Sequence, residues 1–506
     1  MINRREFVKA AGAAATATAI GELPGASALA QGRRPNIIFI IADDLGWGEL
    51  GCYGQKKIRT PHIDRIAAEG MKFTDAYSGS PVCAPSRCVL LTGYHTGHAY
   101  IRNNDEYNIT GGDIWRDLSL EGQRPILPGT VTAGTVLRDA GYRTAAIGKW
   151  GLGGPGTTGA PNKQGFDHFF GYLCQRIAHN HYPPHLWRND QKVTLKNTYF
   201  HPHQALPAGA DPDDPKSYAA FSGQEYAHDL LATEALQFIR THQAQPFFLY
   251  LPFTIPHVAL QVPEDSVKEY EGQFPETPYK GGIGNGGSYL PHPTPRSAYA
   301  GMITRMDRDV GRIMALVKQL GLDDDTIVFF TGDNGPSWVG GCDPEFFESH
   351  GVLRGRKAQV WEGGIRVPLV ARWPGKIKPD TVSRLPTAFW DLLPTFADLA
   401  GTPSPTGIDG VSILPRLLGR TGQKVHEYLY WEFANSVVVR MGDWKGVLPA
   451  AKESMELYNL ASDIGETTDV AAANPSIVAQ IAAIMKSAHV ESDLFALRKN
   501  KADEPS

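Results

Sequence analysis

One stretch of this chain has the residue types and spacing of a reactive site: Cys83-Ala84-Pro85-Ser86-Arg87. Pro85 suits the first turn of a helix. Cys83 then stands at or just before a helix N-terminus, where unpaired N–H groups and the helix dipole favour an anion. Arg87, four residues on, shares a helix face with Cys83. A nucleophile at a helix start beside a guanidinium suits attack on a tetrahedral oxyanion ester. The same residues would equally serve as a buried cysteine in an arginine-anchored turn, so the motif alone leaves both open.

A second set of polar residues follows apolar runs. Residues 37–42 are continuously apolar and end at Asp43-Asp44. Three later segments repeat a helix pattern followed by an apolar run; these runs end at Lys149, run through 247–253 toward His257, and span 326–331 before Asp333-Asn334. Unbroken apolar runs fit strands buried on both faces. Their alternation with amphipathic helices predicts an α/β fold: a large, mostly parallel sheet sandwiched by helices. In such sheets ligands bind beyond the carboxyl ends of the strands. Asp43, Asp44, Lys149, His257, Asp333 and Asn334 are therefore expected to converge. Asp43, Asp44, Asp333 and Asn334 offer only hard oxygen donors, which points to Ca²⁺ or Mg²⁺ rather than Zn²⁺. Each pair alone would also serve as a turn or a helix cap.

Two stretches interrupt the alternation. Residues 153–224 are rich in Gly, Pro, His and aromatic residues, and 271–296 contain GGIGNGG. Loops of this length inside a domain are usually functional or disordered. After about residue 420 short alternating runs read as antiparallel strands, followed by a helix over residues 475–487. The expected organisation is a catalytic α/β domain over 34–420 and a smaller C-terminal antiparallel sheet plus helix subdomain over 421–500.

At 506 residues, with 20% charged residues and a net charge of −4, the chain gives no reason to invoke nucleic acid. No apolar run reaches the roughly 18 residues of a membrane span. The N-terminus has Arg4-Arg5, then Phe7, Lys9 and a weakly apolar Ala/Thr stretch, with Ala28-Leu29-Ala30 as a small-x-small cleavage site. Residues 1–30 resemble a twin-arginine export signal cleaved near Ala30, which implies a periplasmic or extracellular protein. Five cysteines are too few for a disulfide scaffold, and the number is odd, which singles out Cys83. Pairing among Cys52, Cys88, Cys174 and Cys342 stays open.

The longer match around Cys83, CAPSRCVLLTG, resembles the signature of the sulfatase family. PNIIFIIADDLG, TPHIDRIAAEG, AIGKWGLG, IPH, TGDNG, GRKAQVWEGGIRVP and ELYNLASDIGE follow the family order over nearly the whole chain after residue 34. The resemblance implies hydrolysis of sulfate monoesters. It implies that a formylglycine-generating enzyme converts Cys83 to formylglycine. The hydrate of this aldehyde would attack sulfur with one hydroxyl, while the other later expels sulfate. It also implies one Ca²⁺ per chain, bound by Asp43, Asp44, Asp333, Asn334 and the residue at Cys83. Arg87 and Lys149 would hold nucleophile and sulfate, Lys357 would contact the sulfate near the leaving oxygen, and His257 would protonate the leaving alcohol.

One position departs from the family. Many members carry histidine two residues after the first lysine, where this chain has Gly151. His98 is the expected substitute, with His95 the alternative. Substrates implied are sulfated small molecules or oligosaccharides. The aromatic and basic loop of residues 179–188 (His179, His181, His185, Trp187, Arg188) suits a sugar and equally suits plain packing. The runner-up enzyme is a phosphonate or phosphate ester hydrolase of the same superfamily, against which Asn334 speaks, because such relatives typically place histidine there. A third reading, a carbohydrate-binding pseudoenzyme, rests on Gly151 alone.

Overall fold

The computed structural model describes residues 34–106, 120–281 and 289–497. The signal-like residues 1–30 and most of the glycine-rich insert lie outside them. Four parallel strands form the centre: β1 (Asn36–Ala42), β2 (Arg143–Lys149), β3 (Phe247–Pro252) and β4 (Thr326–Gly332). They lie side by side in the order β4-β1-β3-β2, all parallel. The complete sheet has ten strands.

Burial on both faces explains the unbroken apolar runs. Ile38 and Ile40 pair in register with Leu249 and Leu251 of β3 and with Val328 and Phe330 of β4. This side packs with the Pro61–Ala68, Ala227–His242 and Pro295–Gln319 helices in one core. On the other face Phe39 meets Tyr250, Phe329 and Phe396, the last from the Leu392–Ala400 helix.

The interruption at 153–224 is not one loop. Residues His168–Tyr172, His185–Arg188 and Gln191–Thr194 are strands that extend the sheet beyond β2. Gly171 lies so close to β2 that a Cβ there would stand 1.9 Å from the Gly148 carbonyl oxygen. The glycine that permits this approach is what made the segment read as irregular.

Four antiparallel strands, Leu429–Phe433, Ser436–Met441, Trp444–Leu448 and Glu456–Asn459, form the second sheet. The helix Pro475–Ser487 packs on it through Ile481 and Met485. The second sheet is tied to the first by buried polar links. Trp431 Nε1 donates to the Ser78 carbonyl at 2.9 Å, and Lys445 Nζ lies between Glu362 (2.9 Å) and Glu466 (2.8 Å). Among the described residues no helix is long and apolar enough to cross a membrane.

Candidate active site

The nucleophile motif opens a helix, Cys83–Thr92, which ends at Gly93 with φ 75°. All ten of its residues are buried. Its serine and arginine lock that helix to the end of β4. Ser86 Oγ donates to the Asp333 carbonyl at 2.6 Å. Arg87 sends Nε (3.2 Å) and a terminal nitrogen (2.8 Å) to the Asp333 carboxylate, and donates to the Lys149 carbonyl.

The polar residues at the strand ends converge as expected. The Asp333 amide donates to Ala42 O at 2.9 Å, which continues the β1–β4 pairing past the strands. Asp44 turns through φ 64°, a left-handed conformation that Asp tolerates better than most residues, and its amide donates to Asp333 Oδ1 at 3.0 Å. Asn334 Nδ2 donates to Asp44 Oδ1 at 2.8 Å. Lys149 Nζ lies 2.6 Å from Asp43 Oδ2 and 3.6 Å from Cys83 Sγ, and Cys83 Sγ lies 3.4 Å from Asp43 Oδ1. Lys357 Nζ lies 2.7 Å and His257 Nε2 3.6 Å from Asp44 Oδ2. Potential ligand atoms of Asp43, Asp44, Cys83 and His257 all lie within 4.8 Å of one another.

Burial sets the electrostatics. It pushes the Cys83 thiol up to about 12, with the Asp43 carboxylate adding to the effect. The helix start does not make this cysteine a thiolate at neutral pH. Burial opposes the charge of Asp43, yet Lys149, His257, Arg87 and Lys357 together hold its carboxyl well below the usual range. Asp333 behaves oppositely: burial and the neighbouring Asp43 push it up to about 7. Burial and Lys357 lower His257 to about 3, so its ring is neutral; Nδ1 carries the proton and donates to the Val258 carbonyl.

The oxygen donors fit a hard divalent cation. Asp43, Asp44, Asp333 and Asn334 are fully buried, and Asn334 Oδ1 has no hydrogen-bond partner among the described residues. An orphaned amide oxygen beside three carboxylates, one of them pushed toward protonation, suits a metal ligand.

Cys83, Arg87, Lys149, His257, Lys357, Asp43, Asp44, Asp333 and Asn334 thus form one cluster. His98 does not join it: its Nδ1 lies 2.9 and 3.0 Å from the two Asp409 oxygens, and its ring stacks on His95. His95 is held in the same group, with its amide donating to Asp409 at 2.9 Å. Loop 179–188 divides in two. His179 stacks on the His257 ring with centroids 4.9 Å apart, and His181 Nε2 donates to the His257 carbonyl at 2.9 Å. His185 and Trp187 are held by Glu121, and Arg188 by Glu234. Asn104, which accepts from the Ala84 amide, and Gln175, which donates to Asn104, had no signal in the sequence because both lie outside the strand-end pattern.

The family model for sulfatases matches residues 35–402. The chain belongs to the sulfatase family. A second model, N-sulphoglucosamine sulphohydrolase, C-terminal, matches residues 350–492. The sulfatase is 30% identical over 515 residues to the N-acetylgalactosamine-6-O-sulfatase of Bacteroides thetaiotaomicron, covering 90% of this chain and 93% of the relative. It is 32% identical over 512 residues to human arylsulfatase A, covering 90% and 87%. Among solved structures it resembles Ps i-CgsB, determined in complex with k-i-k-neocarrahexaose, with a TM-score of 0.70, 26% identity and coverage of 90% and 92%. The phosphonate monoester hydrolase of Agrobacterium radiobacter shares the fold alone, with a TM-score of 0.62 and 20% identity. The sulfatase is a hydrolase of sulfuric esters.

Proposed function

We propose that this sulfatase removes sulfate from sulfated carbohydrates, with an aldehyde made from Cys83 as nucleophile and one Ca²⁺ held by Asp43, Asp44, Asp333, Asn334 and the residue at position 83. The observation that carries the nucleophile is the placement of Cys83 at the start of a wholly buried helix, with Sγ 3.4 Å from Asp43 Oδ1 and 3.6 Å from Lys149 Nζ. Burial pushes the thiol up, and a thiol is a weak nucleophile where a thiolate is a strong one. A hydrated formylglycine supplies a hydroxyl in its place, and a bound Ca²⁺ supplies Lewis-acid polarisation of a sulfate oxygen.

The chain's own residues then have separable roles. Lys149, 3.6 Å from Sγ, donates to the nucleophile's oxygen and to sulfate. Arg87, fixed on Asp333, fixes the helix that carries the nucleophile. Lys357 donates to the ester on the leaving side. His257 Nε2 delivers a proton to the departing alcohol oxygen. It takes up that proton once an anionic ester lies beside it, since the added negative charge offsets Lys357 and raises the ring from about 3.

The substrate class rests on the relatives. One is an N-acetylgalactosamine-6-O-sulfatase, and the solved neighbour at 26% identity holds a neocarrahexaose. Arg4-Arg5 and the segment up to Ala30 direct export to the periplasm or beyond. The test is a release assay for inorganic sulfate on sulfated mono- and oligosaccharides beside a nitrophenyl sulfate. Turnover of at least one saccharide at a kcat/KM above the aryl ester is expected. Turnover of the aryl ester alone would remove the carbohydrate assignment.

A further inference from the structure

The wall of the site beside Gly151 is built by two amides. Gly151 adopts φ 81°, and a Cβ there would stand 2.8 Å from Gln175 Cγ. Gln175 therefore occupies the space that a side chain at 151 would need. It is 7% exposed, and its backbone is held by Gln123 Oε1 at 3.1 Å. Gln123 also donates to the Asp105 carbonyl at 3.1 Å, which fixes the loop that carries Asn104.

Asn104 Oδ1 accepts two hydrogen bonds. One comes from the amide of Ala84, the residue after the nucleophile, at 3.0 Å. The other comes from Gln175 Nε2 at 3.3 Å. Two donors fill both lone pairs of an amide oxygen and so fix which way the amide faces. Asn104 Nδ2 is then turned away from both donors, on an exposed residue whose Oδ1 is anchored to the amide next to the nucleophile. Gln175 Oε1 has no partner among the described residues although it is buried. A buried acceptor left unpaired is costly, so it calls for a partner such as water or a ligand.

We propose that Gln175 is a positioning residue of the active site: it orients Asn104 so that the Asn104 amide nitrogen donates to the sulfate group, and Gly151 makes room for it to do so. This rests on the reading of the site as one for sulfate esters. The ligand recognised is a sulfate group carrying oxygen acceptors.

Inorganic sulfate is the probe. It is titrated calorimetrically into the purified protein, and its inhibition of nitrophenyl sulfate hydrolysis is measured in parallel. A hydrogen bond to an anion is worth about tenfold in affinity or more. Asn104→Ala and Gln175→Met are each expected to weaken sulfate binding about tenfold, with thermal midpoints within about 2 °C of wild type. The double variant is expected to be no weaker than either single, because one residue acts through the other. Wild-type sulfate affinity in a folded Gln175→Met, or losses that multiply in the double, would overturn the proposal while leaving the sulfatase reading intact. Should Gln175→Met not fold, Gly151→Ala displaces the same side chain and is held to the same two outcomes. A wild-type protein that neither binds sulfate nor hydrolyses any sulfate ester would overturn both readings together.

Discussion

Calcium removal tests the electrostatics of the site most directly. Three carboxylates, Asp43, Asp44 and Asp333, meet there at full burial. Asp333 is pushed up to about 7 by burial and by Asp43, from an ordinary value of 3.8. Between those two values the folded chain binds a proton at Asp333 that the unfolded chain has lost. The contribution of Asp333 to the stability of the calcium-free protein therefore falls as pH rises from about 4 to about 7. Ca²⁺ bound there would replace that proton, so its stabilisation is expected to grow over the same interval. Free calcium at a thousand times its dissociation constant contributes about 4 kcal/mol. For a chain of this length the unfolding entropy is about 1 kcal/mol per kelvin near the midpoint, so the thermal midpoint should rise about 4 °C. The assay is differential scanning fluorimetry in chelator and in excess calcium, at pH 5 and pH 8. A gain of several degrees at pH 8 that shrinks at pH 5 is expected. A gain equal at both pH values, or a larger gain with zinc than with calcium, would refute the reasoning.

Mass spectrometry of the peptide carrying Cys83 should show loss of sulfur and gain of an aldehyde oxygen, and Cys83→Ala should abolish turnover. Because the Cys83 helix is wholly buried, conversion is expected before export of the folded chain; with Arg4 and Arg5 both replaced by lysine, retained precursor should already carry the aldehyde, and retained precursor with only cysteine would refute that order. His98→Ala should lower stability by about 1–2 kcal/mol through loss of the Asp409 link, with kcat for nitrophenyl sulfate within about twofold of wild type. A burst of alcohol followed by slow turnover in that variant would instead return His98 to the chemistry.

The site was legible in the sequence wherever a residue's place follows from a strand. An unbroken run such as IIFIIA can only be a strand covered on both faces, and a residue just past its end must lie at the sheet's carboxyl edge. That reasoning located Asp43, Asp44, Lys149, His257, Asp333 and Asn334. The Cys83–Thr92 helix was equally legible, since Pro85 and Gly93 mark its ends chemically. The strands of 168–194 were hidden by the glycines and histidines that let them approach β2 and meet side chains elsewhere. His98 was misplaced for a different reason. Its partner Asp409 lies 311 residues away, and no local pattern reveals that pairing. Gln175 shows the same limit, because its role depends on the absence of a side chain at Gly151 and on the amide of Ala84.

The charges of the cluster bear on how a bound cation would change its affinity for an anion. Asp43, Asp44 and Asp333 oppose Arg87, Lys149 and Lys357, with the pairs 2.6 to 2.8 Å apart. His257, lowered to about 3, and the Cys83 thiol, pushed up to about 12, are both neutral near pH 7. Taken as fully ionised, the six charged side chains cancel, and such a balanced buried set has little net attraction for a sulfate ester. A divalent cation held among the carboxylates would tip the balance to positive. Held by Asp43 and Asp44, it would also compete with Lys149 and Lys357 for those carboxylates, leaving both ammonium groups available to an incoming anion. For this reason calcium removal is expected to raise KM as well as lower kcat, whereas Lys357→Ala in the calcium-loaded protein should act through one lysine only. Equal effects of chelation and of Lys357→Ala on KM would show that the lysines were never restrained by the carboxylates.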